Sequence, residues 1–427
     1  MTKNYLLFGL GRTNLALLDL IFLVEPEVHV RISLDGDIGD LPASLRHLFL
    51  PWDQVKHVHF ERIFVVPGVK ASHPVYDLGG VDNEISYASQ WMPKTRFIGI
   101  TGSVGKSTTT TLMSKMLNHL GYACEAAGNI GLPLSRLAIR VLQGEPLDYV
   151  VLELSSIQLH VLKGPCLETA ILLNLEPNHL DWHKDFQEYQ TDKLRIFDLL
   201  DVGRKGLCAK SLLHRPLAGK VLPLDSKNRG LGHKGSEIWF QNMQIGIVPD
   251  ALSSFAWSFG CCAGMLHLLG LFDNSRFMDF KFAGLEHRMQ SVGLVNGVRF
   301  IDDSKSTAPA STMFALQSVP EKRITLILGG KSKGVDFSSF IQELKIYKEK
   351  ISLLVLYGDM IPMASDFKAL GFLVICARNW GDMLAELLLH RNHWGEVVLL
   401  SPAMSSLDQF VSFEARGKAF KEFIQEI

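Results

Sequence analysis

The sequence predicts an α/β protein of several domains built on parallel sheets, and three observations predict it. Apolar runs of strand length recur along the chain, among them residues 5–8, 97–100, 149–152, 324–328 and 397–400. Stretches with helical apolar spacing separate them, and several empty into glycine-rich or acidic turns, the pattern of repeated βα units. At 427 residues the chain is too long for one hydrophobic core. Domains are expected at 1–93, 94–284 and 285–427.

The first of these opens on Tyr5-Leu6-Leu7-Phe8, which runs into Gly9-Leu10-Gly11-Arg12-Thr13-Asn14 and then an apolar helical stretch to Val24. Strand, glycine turn and helix make a Rossmann-like opening, with Asn14 where a third glycine would stand. A plain βα turn and a ligand loop fit this stretch equally well. Residues 28–32 and 63–66 read as further strands, and Pro93 marks the boundary.

The central region turns on Thr101-Gly102-Ser103-Val104-Gly105-Lys106-Ser107-Thr108, set between the apolar run Phe97-Ile98-Gly99-Ile100 and a helix carrying Leu112, Met113, Met116 and Leu117. This is the layout of a phosphate-binding loop. Glycines let backbone N–H groups converge on phosphate oxygens, and the helix N-terminus adds partial positive charge. Lys106 would reach the terminal phosphates and Ser107 would hold Mg²⁺. The ordinary pattern has its first glycine at position 100, which is Ile here, so a tight βα turn with a solvated lysine is the competing reading. The strand at 149–152 delivers Glu153 to its carboxyl end, where open α/β sheets bind ligands and where a carboxylate can receive Mg²⁺. A strand at 169–174 leads into Glu176-Pro177-Asn178-His179-Leu180-Asp181, with His179 a candidate metal or phosphate contact. Residues 186–200 have helical spacing, and Lys193 within them reads in isolation as a surface lysine.

The third region begins near Leu285. Its strands end in Asp302-Asp303-Ser304-Lys305-Ser306-Thr307, in Gly329-Gly330-Lys331-Ser332-Lys333-Gly334, in Gly358 and in Ser401-Pro402. Alternation with helical stretches makes it a second doubly wound, Rossmann-like domain.

Composition narrows the function. A formal net charge of -1 with no basic block gives no support for nucleic acid or an anionic membrane as partner. Six scattered cysteines with no CxxC pair fit a reducing compartment and argue against zinc. The uncharged run 251–272 is diluted by serines, glycines and His267, so a buried helix is expected rather than a membrane span. A soluble, cytoplasmic protein is the resulting expectation, and it is expected to be a monomer.

In this order the motifs resemble the Mur ligase family. To the phosphate loop they add Gly128-Asn129-Ile130-Gly131-Leu132-Pro133, Leu152-Glu153-Leu154-Ser155-Ser156, Asn178-His179-Leu180-Asp181 and Lys193-Leu194-Arg195-Ile196. Phe282-Ala283-Gly284-Leu285-Glu286-His287-Arg288, Asp303-Ser304-Lys305-Ser306-Thr307, Leu328-Gly329-Gly330 and Ser406-Leu407-Asp408-Gln409-Phe410 through Arg416-Gly417 complete the set. The short glycine loop is also that family's form. The resemblance implies an ATP-dependent amide ligase working through an acyl phosphate, with ATP and Mg²⁺. Its implied substrates are UDP-N-acetylmuramoyl-L-alanine and D-glutamate, the latter suggested by residues 406–410. It implies Lys106, Glu153, His179 and Lys193 as catalytic residues. Gly102, Ser103, Val104, Gly105, Lys106, Ser107, Thr108, Arg288 and Asp303 would bind ATP. Arg12, Thr13, Asn129, Ser155 and His179 would contact the UDP-substrate, and Lys305, Thr307, Lys333, Ser406 and Phe413 would contact D-glutamate. Ser107 and Glu153 would hold one Mg²⁺, and His179 a second together with a carbamylated Lys193, because a cationic lysine has no lone pair to give. Val104 replaces the family's usual asparagine, the asparagine turn expected near 254–258 reads Ser254-Phe255-Ala256-Trp257-Ser258, and the acidic-Thr-Arg group reads Ser33-Leu34-Asp35. Rival readings are a relative adding another amino acid, a folylpolyglutamate synthase, and a nucleotide-binding protein without catalysis.

Overall fold

The computed structural model describes residues 3–36, 38–176, 182–209, 212, 220–224, 229–332, 334 and 336–427. It forms two compact units, Met1–Phe282 and Ala283–Ile427.

The first unit starts with β1 (Asn4–Phe8), α1 (Arg12–Val24), β2 (His29–Ser33), α2 (Trp52–Val55), β3 (Arg62–Val65), β4 (Val81–Asp82) and α3 (Glu84–Ser89). The four strands are parallel in the order β2-β1-β3-β4. Asn14, at the position of the missing third glycine, is buried and donates to the carbonyls of Gly9 at 2.9 Å and Phe64 at 3.2 Å. Its amide closes the turn, which leaves Arg12 and Thr13 as the first residues of α1.

The chain continues through β5 (Arg96–Thr101), α4 (Lys106–His119), β6 (Cys124–Gly128), α5 (Leu134–Leu142), β7 (Tyr149–Glu153), α6 (Ser156–Val161), β8 (Leu167–Leu172), α7 (Phe186–Leu194), β9 (Gly206–Ala209) and β10 (Val221–Leu224). These strands make a six-stranded parallel sheet in the order β10-β9-β8-β5-β7-β6. β5 is central and covered on both faces, which is why residues 97–100 read as an unbroken apolar run.

One core joins the two sheets. Leu17, Leu18 and Ile21 of α1, Ile85 and Ala88 of α3, Leu134 and Leu137 of α5 and Val150 and Leu152 of β7 belong to a single buried cluster. Pro133 precedes α5 and offers no side-chain cap, and the buried Glu84 carboxyl group of α3 accepts from Ser135 N in its place. The unit closes with the antiparallel strands β11 (Leu231–Lys234), β12 (Glu237–Phe240) and β13 (Met243–Ile247) and with α8 (Ala256–Leu268). α8 occupies the uncharged run and packs with Leu112, Met113 and Met116 of α4. Trp257 is half-buried beside the same cluster, its ring 5.8 Å from that of His233. No helix among the described residues is long and apolar enough to cross a membrane. All six cysteines are free thiols.

The second unit comprises β14 (Gln290–Val295), β15 (Val298–Asp302), α9 (Pro309–Ser318), β16 (Ile324–Gly330), α10 (Ser338–Leu344), β17 (Ile351–Gly358), α11 (Ala364–Ala369), β18 (Val374–Ala377), α12 (Trp380–Leu389), β19 (Val397–Ala403) and α13 (Phe413–Glu426). Its sheet runs β14-β15-β19-β16-β17-β18, parallel except for the β14–β15 hairpin at one edge.

Candidate active site

In the first unit the candidate residues gather at the carboxyl end of the central sheet. Gly105 precedes α4 in a left-handed conformation, φ 84°. At Gly102 a Cβ would come within 3.0 Å of Leu173 Cβ, so only glycine lets the loop lie against the end of β8. Ser107, buried in the first turn of α4, donates its hydroxyl hydrogen bond to a Glu153 carboxylate oxygen. β5 and β7 are neighbours with Ile100 opposite Glu153, which sets that carboxylate at the level of the loop. Asn129 donates to the other oxygen of Glu153 at 2.8 Å, and its backbone N–H donates to the Glu153 carbonyl at 2.9 Å. Lys106 Nζ folds back to the Ser103 carbonyl at 2.9 Å.

Lys193 comes to the same place from α7. It is not a surface residue: only 2% of it is exposed. Its Nζ donates to Thr101 Oγ1 at 3.1 Å and to the Gly102 carbonyl at 2.9 Å, and lies 5.2 Å from the centre of the Tyr189 ring. Burial pushes its pKa well below the usual lysine range, the Lys106 charge pushes the same way, and Glu153 opposes both. The periodicity that suggested a helix to residue 200 holds as α-helix to Leu194 and then tightens into a 3₁₀ turn, Arg195–Phe197.

Other expected positions have local partners. Ser155 caps α6, accepting from Gln158 N at 3.2 Å while Gln158 Oε1 receives Ser155 N at 3.0 Å. Arg12 reaches the Gly131 carbonyl at 3.4 Å. His179 and Lys333 lie outside the described residues.

In the second unit Asp303 follows β15 and is buried. Its carboxylate accepts from Ser306 Oγ at 2.5 Å, Ser401 Oγ at 2.7 Å and Met289 N at 3.2 Å. Burial raises its pKa to about 6, against the pull of these donors and of Arg288. Lys305 Nζ sits 3.8 Å from the centre of the Phe413 ring, and Ser406 is buried past the end of β19. Thr307 is half-buried in the turn before α9.

A residue without an assigned role in the sequence holds this end together. Arg416 of α13 is fully buried and donates to Ser304 Oγ and the Ser304 carbonyl, both at 2.9 Å, to Tyr357 Oη at 3.1 Å and to the Met404 carbonyl at 3.2 Å. The Arg416-Gly417 pair was visible in the sequence, but a buried arginine with neutral acceptors has no local sequence signal.

These residues belong to an α/β protein of several parallel sheets, in which a glycine turn joins a buried strand to a helix whose first-turn serine bonds a strand-end carboxylate. Family models match in two places: the Mur ligase middle domain over residues 100–211 and the Mur ligase glutamate ligase domain over residues 287–404. Proteins named UDP-N-acetylmuramoylalanine–D-glutamate ligase from Desulfovibrio desulfuricans and Desulfitobacterium hafniense are each 32% identical to the chain. The first alignment covers 98% of this chain and 95% of the relative, the second 99% and 97%. Among solved structures, the MurF ligase of Thermotoga maritima in complex with ADP aligns with a TM-score of 0.60 at 15% identity, covering 100% of this chain and 95% of that one. The E. coli FolC complex with DHPP and ADP aligns at 0.55 and 14% identity, over 80% and 92%. The chain belongs to the Mur ligase family.

Proposed function

We propose that the chain is an ATP-dependent ligase that joins D-glutamate to UDP-N-acetylmuramoyl-L-alanine in cytoplasmic peptidoglycan precursor synthesis. The full-length relatives carry that activity in their names, and the Ser107–Glu153 contact beneath the loop is the observation that carries the chemistry. A carboxylate oxygen of the UDP-substrate attacks the γ-phosphorus of ATP and ADP leaves. The amine of D-glutamate then attacks the acyl carbon, loses a proton, and phosphate departs as the amide forms.

Such a transfer needs charge neutralisation and positioning more than a covalent partner. Gly102, Ser103, Val104, Gly105, Lys106, Ser107 and Thr108 are assigned to ATP, with the start of α4 facing the phosphates and Lys106 swinging from the Ser103 carbonyl to the terminal ones. Ser107 and Glu153 are hard oxygen donors already in contact, and that donor set fits Mg²⁺. The metal, when bound, would neutralise phosphate charge. Asn129 keeps Glu153 oriented. With its depressed pKa, buried Lys193 is available as a neutral amine, the form that adds carbon dioxide to become a carbamate. With His179 it would serve a second metal. Asn129, Ser155, Arg12 and Thr13 are assigned to the UDP-substrate. Arg288 and Asp303 are assigned to ATP, and Lys305, Thr307, Lys333, Ser406 and Phe413 to D-glutamate. This division of labour goes with three functional domains, 1–93, 94–284 and 285–427, and with a monomer.

The test is phosphate release by the purified protein with ATP, Mg²⁺, UDP-N-acetylmuramoyl-L-alanine and D-glutamate. Release with that pair is expected. Release only with a different amino acid would reject the assigned specificity.

A further inference from the structure

The loop residue Val104 has an aliphatic side chain with no polar group to brace the loop, and a carboxamide from elsewhere in the chain holds its backbone. Asn174, just beyond β8, accepts with Oδ1 from the backbone N–H of Ser103 at 3.0 Å and of Val104 at 2.9 Å. Its Nδ2 donates to the Val104 carbonyl at 3.0 Å. Three bonds from one carboxamide thus grip both polar groups of the Val104 backbone. The neighbouring chain adds to the grip. Ser103 Oγ receives Glu176 N at 2.8 Å and lies 2.8 Å from Tyr189 Oη, on the helix that carries Lys193. Leu173 fills the space beside Gly102 that a side chain would need.

We propose that Asn174 is a positioning residue for the nucleotide, fixing the curvature of the Ser103–Val104 segment so that the start of α4 presents its N–H groups to the phosphates. This rests on the phosphate-loop reading. Asn174 holds the N–H groups of Ser103 and Val104, and that restraint sets the path by which the loop enters α4. With its backbone N–H and carbonyl both held by Asn174, position 104 needs no polar side chain of its own. Phosphate recognition is thereby tied to the segment leading from β8 toward His179.

Calorimetric titration with ADP and Mg²⁺ tests this in the full chain, with UDP-N-acetylmuramoyl-L-alanine as the second probe. Asn174→Ala should weaken ADP binding about tenfold or more, the scale of losing two net hydrogen bonds, and leave the UDP-substrate affinity within about twofold. ADP affinity unchanged, or both affinities reduced equally, would overturn the proposal. If the alanine variant does not fold, Asn174→Asp serves. It keeps the acceptor for both N–H groups but sets a carboxylate against the Val104 carbonyl and near the phosphates, so ADP affinity should again fall selectively. An unchanged value there would also overturn the proposal. Wild-type protein that binds no ADP would instead reject the phosphate-loop reading itself.

Discussion

Ser107 and Glu153 lie forty-six residues apart, yet the serine hydroxyl donates directly to the glutamate carboxylate at the end of β7. Two hard oxygen donors meet where the glycine loop turns into α4. Glu153→Gln keeps the size and an acceptor for Ser107 but removes the charge. Phosphate release should fall on the order of a hundredfold or more, since electrostatic groups aimed at a transferring phosphoryl are worth that much. Turnover within a factor of about two of wild type, at saturating Mg²⁺, would remove Glu153 from the machinery.

Lys193 makes a second prediction. Its amine is buried against Thr101 and Gly102, beside a lysine of like charge, and both conditions favour the neutral form. Intact-protein mass spectrometry under bicarbonate should find a species heavier by one carbon dioxide, and Lys193→Ala should lose both that species and phosphate release. Retention of the added mass in the variant would locate the modification elsewhere.

The sequence made some of this legible and hid the rest for identifiable reasons. Gly102, Gly105, Lys106, Ser107 and Glu153 stood out because a strand end and a helix start fix their spacing within a few residues. Asn174 did not, since its three bonds cross seventy residues of chain and a single asparagine after a strand is unremarked. Lys193 was visible only through the family resemblance: periodicity placed it on a helix but not in the interior. The hairpins β11–β13 escaped because Leu231–Lys234, Glu237–Phe240 and Met243–Ile247 are short and mix glycine, histidine and charge with few alternating apolar positions. Asn14 looked like a defect in a glycine motif, and its buried amide turns out to close the turn.

Glu84 carries a pH prediction. Burial raises its pKa from an ordinary 4.5 to about 7, with the Ser135 N–H opposing. The folded chain therefore binds the proton more tightly than the unfolded chain between those values. This contribution to stability is complete below the unfolded value and is lost as pH rises toward and through the folded one. Glu84→Gln cannot titrate. Thermal unfolding should show the variant gaining on wild type as pH is raised from about 5 to about 8. A difference in melting temperature that stays flat across that range would mean the carboxyl is not held protonated between α3 and α5.

The last prediction concerns Lys305 and Phe413, which the primary structure separates by more than a hundred residues and the second unit brings together. The ammonium sits 3.8 Å from the ring centre, close enough for the ring's negative face to hold it. The ring also restrains a flexible four-carbon chain, so the cation is pre-aimed rather than ordered at the moment of binding. An anionic amino acid would meet a positioned charge. Phe413→Leu retains apolar bulk and loses the quadrupole, so the KM for D-glutamate should rise roughly three- to thirtyfold, the range a cation–π contact is worth. The KM for ATP should not move. Lys305→Met, which removes the charge itself, should cost more than Phe413→Leu on the same axis. Steady-state kinetics with each substrate varied in turn separates the outcomes: a shift in the ATP constant would assign the pair to the nucleotide, and no shift in either would leave it a packing contact of α13.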